Sequence, residues 1–332
     1  MNYIQNLPLI FIISSILLLL VAVGIYYAIR LKNSEELWKF ALDGAGDGVW
    51  DWNIKNDVAY FSNRYKEIFG FSVRDNNASI REWNSRVHPE DANSMSDAVN
   101  SYLTGKSEKY IHEYRVICQD KSIKWVLSRG MIIKRDRNGE PLRMVGTHTD
   151  ITERKLLEKR LENLAHFDTL ANIPNRTLFN DRLKLALAYA KREKKMLAVM
   201  FIDLDLFKKI NDLYGHDTGN IVLKKVSMQL VSCVRESDTV ARMGGDEFVV
   251  LLPIIDNEAN LISVADKILA SVAKPIKIEK LNLHVTCSIG IAIYPQHGKD
   301  ENLLVINADM AMYQAKKGGK NQARFFDETM KE

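Results

Sequence analysis

Residues 241–250 read "ARMGGDEFVV" and set two glycines and two acidic residues between two apolar runs. Glycines form the tight turn of a β-hairpin, and flanking apolar residues are typical of buried strands. In a plain hairpin, Asp246 and Glu247 would simply face water. The alternative interpretation is that the turn holds a metal ion against a phosphate-bearing substrate, since Mg²⁺ prefers carboxylate oxygens. The rest of the chain has to decide between the two.

A second acidic pair ends the apolar run "MLAVMFIDLD", residues 196–205. Asp203 and Asp205 are costly at the end of a buried strand unless something binds them. If this strand lies beside the hairpin in one sheet, Asp203 and Asp246 converge on one point. Two acidic pairs so placed favour the metal site, and the glycine pair would then let a bulky substrate approach the backbone.

Helical and strand-like patterns alternate around these strands. Helices packed on a sheet predict an α/β sandwich of the ferredoxin type for residues 166–332. After a long helix that precedes residue 196, the pattern places helices at about 215–235, 257–273 and 301–317, strands around 276–294, and a last strand "ARFF" at 323–326.

This half of the chain resembles the GGDEF family of diguanylate cyclases, from about residue 163 to 327. The resemblance implies the cyclase-palm form of the sandwich, and the condensation of two GTP molecules into cyclic di-GMP and two pyrophosphates. Four stretches carry it in order: "DTLANIPNR" at 168–176, "FIDLDLFKKINDLYGHDTGN" at 201–220, "RMGGDEF" at 242–248 and "ADMAMYQAKKGGKN" at 308–321.

The resemblance also implies a metal site. Asp203, Asp246 and the Leu204 carbonyl would ligate two divalent ions, Mg²⁺ or Mn²⁺, and Glu247 would support that site. The catalytic residues would be Asp246, Glu247 and Lys316, with Asp246 placed to help deprotonate the attacking 3′-hydroxyl. Phosphoryl transfer depends on charge neutralisation and in-line positioning, which two metal ions and two lysines would supply.

The substrate contacts follow from the same resemblance. The implied triphosphate ligands are the backbone of Leu206, Phe207 and Lys208 with the side chains of Lys316 and Lys320, and the implied base readers are Asn211 and Asn220. Asn220 departs from the family, which usually has Asp there, and Lys320 stands where many relatives have Arg. Asparagine offers guanine one acceptor and one donor in place of two acceptor oxygens. A cyclic GMP–AMP synthase is therefore an alternative to the cyclic di-GMP enzyme.

Residues 235–238 read "RESD" and resemble the family's product-inhibition site. Arg235 would bind a phosphate or a guanine edge, and Asp238 would accept from a guanine N–H. The alternative is an ordinary surface ion pair at i, i+3. A catalytically inactive receptor that binds cyclic di-GMP at this site is a further functional alternative, although the signature carboxylates are all present.

Residues 33–150 are rich in strand-like runs and resemble a PAS sensor domain with its C-terminal PAC motif. The resemblance implies an antiparallel five-stranded sheet with helices near 63–70 and 79–102, and it leaves the PAS cofactor unknown. His112 and His148 are the candidates for a haem ligand, but a lone histidine in a strand is more often structural. The matching stretches are "ALDGAGDGVWDWN" at 41–53, "YFSNRYKEIFGFS" at 60–72, "VHPED" at 87–91 and "GTHTDITERK" at 146–155.

Residues 9–29 carry no charge and are long enough for one transmembrane helix across a ~30 Å hydrocarbon core. No Lys or Arg precedes them, whereas Arg30 and Lys32 follow at once. The positive-inside rule places residues 1–8 in the periplasm and the rest in the cytoplasm, as in a single-pass protein of a bacterial inner membrane. A cleaved signal peptide is the alternative, but the basic n-region is missing.

Residues 151–165 predict a signalling helix between the two domains. Leu157, Leu161, Leu164 and Leu170 recur at spacings that suit a short parallel coiled coil and hence a homodimer. A two-fold dimer would also bring together the two GTP half-sites that one cyclic dinucleotide requires. The alternative is a monomeric amphipathic helix packed on its neighbour.

The bulk composition agrees with this arrangement. The chain has 332 residues with 46% hydrophobic and 27% charged side chains, as expected of folded domains. A net charge of +4 is mild and gives no reason to expect nucleic-acid binding. Cys118, Cys233 and Cys287 stand far apart, without metal-site spacing, and suit a reducing compartment. A phosphodiesterase would need another catalytic domain, which we do not expect here.

Overall fold

A computed structural model describes residues 18–33, 44, 46–70, 83–255 and 257–331. The chain divides into two compact units, Met1–Leu157 and Glu158–Glu332, called here the N-terminal and C-terminal units. Residues 18–33 form helix α1, while the first part of the expected membrane segment, residues 9–17, lies outside the described residues. Among the helices that are described, none has the length and apolarity needed to cross a bilayer.

The N-terminal unit contains one antiparallel sheet of five strands in the order β2-β1-β5-β4-β3, which confirms the expected sheet. Within the span expected to be helical near 79–102, Trp83 and Asn84 are helical and a longer helix covers Ala92–Leu103, while residues 71–82 lie outside the described part of the chain. The elements are β1 (Gly48–Asn53), β2 (Val58–Phe61), α2 (Asn63–Phe69), α3 (Ala92–Leu103), β3 (Tyr110–Ile117), β4 (Ile123–Arg135) and β5 (Pro141–Asp150).

An aromatic core holds the N-terminal unit together. His148 is buried, stacks on Trp83 with ring centroids 4.7 Å apart, and places Nε2 3.1 Å from Tyr114 Oη and 2.9 Å from Ser128 Oγ. Gly146 carries no side chain because a Cβ there would lie 2.3 Å from the Trp50 ring. The core surrounds a cavity of about 160 Å³, whose lining includes Trp50, Trp83, Tyr110, Tyr114, Met144 and His148.

The C-terminal unit is built on a second five-stranded sheet in the order β12-β11-β6-β8-β7. The β11–β12 pair is parallel and the other pairs are antiparallel. Helix α4 (Thr152–His166) begins in the N-terminal unit and ends in the C-terminal unit. The elements that follow it are α5 (Arg176–Glu193), β6 (Met196–Asp205), α6 (Phe207–Cys233), β7 (Thr239–Gly244), β8 (Glu247–Ile255), α7 (Glu258–Val272), β9 (Ile276–Ile278), β10 (Leu281–Leu283), β11 (Thr286–Tyr294), α8 (Glu301–Lys317), β12 (Ala323–Phe325) and a 3₁₀ turn (Glu328–Lys331).

Both faces of this second sheet are buried. Helices α6 and α7 cover one face, and α5 and α8 cover the other. The segment from β6 through β11 contains the β-α-β-β-α-β order of a ferredoxin-like sandwich, so the predicted fold class is confirmed. Strand β6 lies in the middle of the sheet, and its residues from 197 to 205 are all buried.

Two predicted details differ in the structure. The helix expected at about 215–235 begins earlier, at Phe207, and Gly215 interrupts it with φ 81° and ψ 161°. The pattern therefore mistook an internal break for the beginning of the helix. Leu170 also lies beyond the end of α4 and packs against the core of the C-terminal unit, so it is not part of the leucine stripe.

Helix α4 buries none of its side chains. Leu157, Leu161 and Leu164 are 53%, 65% and 50% exposed, and Leu156 beside them is 64% exposed. Within the part of the chain that the structure describes, no side chain of this helix is buried against another element.

Candidate active site

Strands β6 and β8 bring the two acidic pairs of the sequence together. Asp203 on β6 is paired with Glu247 on β8, and the Leu204 N–H donates to the Asp246 carbonyl at 3.3 Å. These contacts fix the β7–β8 turn against the end of the central strand. The carboxylates of Asp203, Asp246 and Glu247 therefore share one end of the sheet.

Asp203 has an unusual electrostatic environment. Its side chain is 9% exposed, and its Oδ2 lies 2.7 Å from Lys316 Nζ at the end of α8. The pKa of Asp203 is raised to about 6: burial is the largest cause and the nearby charges of Asp246 and Glu247 add to it, whereas Lys316 acts in the opposite direction. One lysine does not balance this concentration of negative charge, so the site favours an additional cation.

Glu247 experiences the same crowding. Burial raises the pKa of its carboxyl group, and the charges of Asp309 and Asp246 add to the effect, whereas Arg176 and Lys316 lower it. Sequence reasoning did not single out Asp309 or Arg176. A signal was available, because both lie within the quoted motifs, and Asp309 is two helical turns before Lys316 on the same face of α8.

Asp205 differs from the expectation that both acids of β6 await a ligand. Its carboxylate accepts hydrogen bonds from Thr286 Oγ1 at 2.7 Å, Ser288 Oγ at 2.8 Å and the Asn321 N–H at 3.1 Å. Three donors within the protein satisfy this carboxylate. Asp205 is therefore a structural residue that joins β6, β11 and the segment after α8.

The donor set at Asp203 and Asp246 fits a hard divalent cation. Among the described residues, no three His, Cys, Asp or Glu side chains form a ready metal cluster. Two converging carboxylates are nevertheless what Mg²⁺ requires, because it keeps several waters and takes its other ligands from substrate phosphates. A raised carboxylate pKa beside two further acids is the physical sign of such a missing positive charge.

The β7–β8 turn leaves space above the acids. Gly245 has a left-handed φ of 53°, which favours glycine. A Cβ on Gly244 or Gly245 would meet no atom within 4 Å. The backbone of the turn is thus open to a large ligand.

The residues predicted to contact phosphate lie at the N-terminus of α6. Leu206 is the N-cap, has φ 59° and ψ 21°, and makes no side-chain capping bond. The first N–H groups of a helix attract anions, so Phe207 and Lys208 can present theirs to phosphate oxygens. Lys208 and Lys320 are exposed, whereas Lys316 pairs with Asp203.

The two predicted base-reading residues lie close to each other on either side of the break in α6. Asn211 Oδ1 is buried and has no hydrogen-bond partner among the described residues. A Cβ on Gly219 would lie only 1.9 Å from this oxygen, so the two residues touch. Asn220 follows directly and is exposed. The buried amide of Asn211 is thus available to a ligand at this place.

Arg235 and Asp238 do not form the side-chain ion pair that was the alternative to an inhibition site. Asp238 Oδ2 instead accepts from the Arg235 backbone N–H at 2.8 Å, which leaves the guanidinium out of the ion pairs found in the described chain. A pocket of about 300 Å³ lies here, and its lining includes Arg235, Asp238, Asn260 and Lys267. The geometry supplies cationic and polar groups to an anionic ligand.

Comparison with known proteins agrees with this geometry. Residues 165–322 match the family described as "Diguanylate cyclase, GGDEF domain". These residues form a GGDEF domain. GGDEF cyclase domains generally use divalent metal ions, as the acidic site suggests. Residues 58–148 match the PAS fold, so the N-terminal unit contains a PAS domain.

Relatives of the GGDEF domain include cyclases and a bifunctional protein. MucR of Pseudomonas aeruginosa, a bifunctional diguanylate cyclase/cyclic di-GMP phosphodiesterase, is 42% identical over 172 residues, covering 52% of this chain and 25% of MucR. The diguanylate cyclase TpbB of the same species is 44% identical over 165 residues, covering 49% of this chain and 38% of TpbB. The chain thus spans less than half the length of either relative.

A solved structure of TpbB that comprises only its GGDEF domain is 42% identical. The match covers 50% of this chain and 97% of that structure, with a TM-score of 0.49.

Proposed function

We propose that this protein is a diguanylate cyclase that condenses two GTP molecules into cyclic di-GMP and two pyrophosphates. The observation that carries the proposal is the convergence of Asp203, Asp246 and Glu247 beside Lys316 at one end of the GGDEF sheet. Two substrates react symmetrically. Each 3′-oxygen attacks the partner's α-phosphorus, the bond to pyrophosphate breaks, and the 3′-hydroxyl proton leaves to a base.

Each site residue has a role in this reaction. Asp203, Asp246 and the Leu204 carbonyl would hold two Mg²⁺ or Mn²⁺ ions, with Glu247 supporting them, and Asp246 would help to remove the 3′-proton. The bound ions would neutralise the phosphate charge and lower the pKa of the attacking hydroxyl. The N–H groups of the Leu206–Lys208 segment would orient the triphosphate.

Two lysines complete the phosphate site. Lys316 is bonded to Asp203 and is 31% exposed, so it can contact both the acidic site and a phosphate. Lys320 is exposed and supplies a point charge near the same end of α8. Removal of either lysine should weaken GTP binding more than it changes the fold.

Base selectivity is the open alternative within this reaction. The unpartnered Asn211 Oδ1 can accept from a base N–H, and the exposed Asn220 offers one acceptor and one donor. Guanine and adenine edges both satisfy such a pair, so a cyclic GMP–AMP synthase is the second candidate. Asn220→Asp would favour guanine, because it replaces the donor with a second acceptor oxygen.

Product inhibition is a further part of the proposal. Arg235 and Asp238 line a pocket with Lys267, which suits the phosphates of cyclic di-GMP. Arg235→Ala should therefore relieve inhibition by added product without lowering the initial rate. A catalytically inactive receptor would instead bind cyclic di-GMP here and make none.

The exposed leucines of α4 support a homodimer. Leu157, Leu161 and Leu164 lie at coiled-coil spacing on a helix that buries no side chain. Pairing two copies would bring the two GTP half-sites together, and a signal from the PAS domain would act through this helix. Insertions of one to four residues at 155–162 should then change activity periodically, and unchanged activity across the series would contradict the mechanism.

Membrane attachment completes the proposed architecture. Residues 9–29 are uncharged and are followed by Arg30 and Lys32, which favours a single-pass anchor in a bacterial inner membrane with the PAS and GGDEF domains inside. Deletion of residues 1–29 should release the protein from the membrane fraction. The PAS cavity of about 160 Å³ is the place where a signal molecule would bind.

The deciding experiment is mass-resolved product analysis of the full chain in detergent, given GTP, ATP and Mg²⁺. Cyclic di-GMP from the parent and none from Asp246→Ala is the expected result. A GMP–AMP hybrid would keep the mechanism and change the substrate assignment. Binding of cyclic di-GMP without any product from a dimeric sample would favour the receptor.

A further inference from the structure

Arg242 joins two segments that are far apart in the sequence. Its Nη1 donates to both carboxylate oxygens of Asp168, at 3.1 and 2.9 Å. Its Nε and Nη2 donate to the Gly245 carbonyl, at 3.0 and 2.6 Å. The Arg242 and Asp168 side chains are only 12% and 20% exposed, so this planar, charged group is largely shielded from water.

The Gly245 carbonyl belongs to the turn that presents the catalytic acids. Two hydrogen bonds from one guanidinium orient the peptide that joins Gly245 to Asp246. The next carbonyl, that of Asp246, accepts from the Leu204 N–H at 3.3 Å. Arg242 therefore holds one side of the turn, while β6 holds the other.

Asp168 lies just beyond the end of α4. Its Oδ1 also accepts from the N–H groups of Leu170 and Ala171, at 3.1 and 2.7 Å, which fixes the loop that follows the helix. Asp168 therefore connects this loop to the strand that carries the turn.

Asn175 adds a second connection to the end of α4. Its Nδ2 donates to the Ala165 carbonyl at 2.9 Å, and its N–H donates to the His166 carbonyl at 2.9 Å. Asn175 also forms a parallel β-bridge with Arg242, whose N–H donates to the Pro174 carbonyl at 3.0 Å. The last carbonyls of α4 are thus bonded to the segment that contacts Arg242.

We propose that Arg242 is a positioning residue: it holds the turn bearing Asp246 and Glu247 in its catalytic geometry, and it makes that geometry depend on the end of helix α4. The proposal rests on the cyclase function proposed above. Arg242 acts through Gly245 and needs no contact with GTP or metal. Its expected influence is therefore on turnover and not on substrate affinity.

Arg242→Lys tests the proposal. Lysine keeps the charge but has a single nitrogen, so it cannot serve both Asp168 and the Gly245 carbonyl. We expect kcat for cyclic di-GMP formation to fall by about 10- to 100-fold, as for other changes in the position of a catalytic group. We expect KM for GTP to stay within about twofold, because the phosphate and base contacts remain.

Arg182→Lys is the matched control. Arg182 Nη1 donates to Thr239 Oγ1 at 2.9 Å, at the opposite end of the same strand β7. Arg182 is also an arginine, but it lies on helix α5, and its bond to strand β7 is made at Thr239, away from the turn. Hydrogen exchange of the Asp246 and Glu247 amides should accelerate in Arg242→Lys and stay at the parental rate in Arg182→Lys.

Asp168→Asn tests the connection between Arg242 and the end of α4 with a small change that should not unfold the protein. The amide keeps one acceptor for the loop but loses the charge that binds Arg242. It should lower kcat with KM unchanged, and it should reduce the effect of insertions at 155–162. The proposal would be overturned if kcat were unchanged in both Arg242→Lys and Asp168→Asn. It would also be overturned if kcat fell as much in the control Arg182→Lys as in Arg242→Lys. If the parent protein made no product, the cyclase function would be contradicted. The exchange rates of the Asp246 and Glu247 amides would still show whether Arg242 holds the turn.

Discussion

Strand β6 places two equally buried carboxylates in two different environments. As whole residues, Asp203 and Asp205 are both 6% exposed. Asp205 accepts from two hydroxyls and a backbone N–H, so the protein itself satisfies it. Asp203 has one lysine and two neighbouring acids, and burial raises its pKa to about 6. Equal burial of the same residue type thus accompanies a structural residue in one place and the proposed metal site in the other.

The difference lies in the number of donors that the fold provides. A buried carboxylate surrounded by donors contributes to stability, because the hydrogen bonds offset the cost of removing its charge from water. A buried carboxylate short of donors is destabilising until a cation binds. Replacement of each residue by Asn should therefore separate the two effects.

Asp203→Asn should produce the largest effect, on activity. Loss of a metal-ligating charge should lower kcat/KM by about 1,000-fold or more, since each tenfold factor corresponds to about 1.4 kcal/mol of barrier. The free energy of unfolding without metal should stay within about 1 kcal/mol of the parent, because a neutral side chain relieves the crowding. Steady-state kinetics and urea unfolding in EDTA measure the two quantities. If Asp203→Asn greatly lowered the free energy of unfolding but kept its activity, the contrast drawn between Asp203 and Asp205 would be wrong.

Asp205→Asn should act on stability. The amide offers one acceptor where the carboxylate accepted three hydrogen bonds, which should lower the free energy of unfolding by about 2–3 kcal/mol. Activity per folded molecule should remain within about threefold of the parent, because the Asp205 carboxylate is already occupied by hydrogen bonds within the protein. Urea unfolding measures the stability, and turnover normalised by an active-site titration with GTP measures the activity per folded molecule. A loss of turnover without a loss of stability would show that Asp205 belongs to the catalytic site.

His148 extends the comparison to a buried group with neutral partners. Burial lowers its pKa from 6.5 to about 3, so below pH 6.5 the unfolded state binds a proton that the folded state does not. Its contribution to stability should therefore decline by about 1.4 kcal/mol per pH unit as the pH falls from 6.5 towards 3. His148→Gln should flatten the pH dependence of PAS-domain unfolding. His112→Gln, which changes a histidine outside the core, should keep the parental dependence.

Ser288→Ala should have the smallest effect. It removes one donor to Asp205, at 2.8 Å, and keeps the other two. A loss of about 1 kcal/mol in the free energy of unfolding is expected. Unchanged stability would indicate that Thr286 Oγ1 and the Asn321 N–H alone satisfy the Asp205 carboxylate. The contrast between Asp205 and Asp203 would then depend on two donors and not three.

The sequence predicted the bounds of a helix where capping residues mark its two ends. Helix α8 begins after its N-cap Asp300, whose side chain accepts from the Leu303 N–H, and ends at Lys317, just before its C-cap Gly318, so its observed bounds equal the predicted ones. The beginning of α6 was missed because the left-handed conformation of Leu206 has no sequence signal. The stripe on α4 included Leu170 because spacing alone does not reveal where a helix ends.

The acidic site was only partly predictable for the same reason. The motifs located Asp203, Asp246 and Glu247, since each lies at the end of an apolar run. The partners of Asp205 are more than 80 residues away in sequence, at Thr286 and Ser288. Only the strand register between β6 and β11 brings them together, and no local pattern contains that register.

The contact between Gly219 and Asn211 has a consequence for how such an enzyme could diversify. Position 219 admits no side chain, because a Cβ would lie 1.9 Å from Asn211 Oδ1, whereas position 220 is exposed. Variation at 220 therefore leaves the packing of the domain undisturbed, while variation at 219 does not. With the base-reading role proposed for residue 220, a lineage, or a library in the laboratory, would explore new nucleotide preferences there in single steps that do not disturb the core.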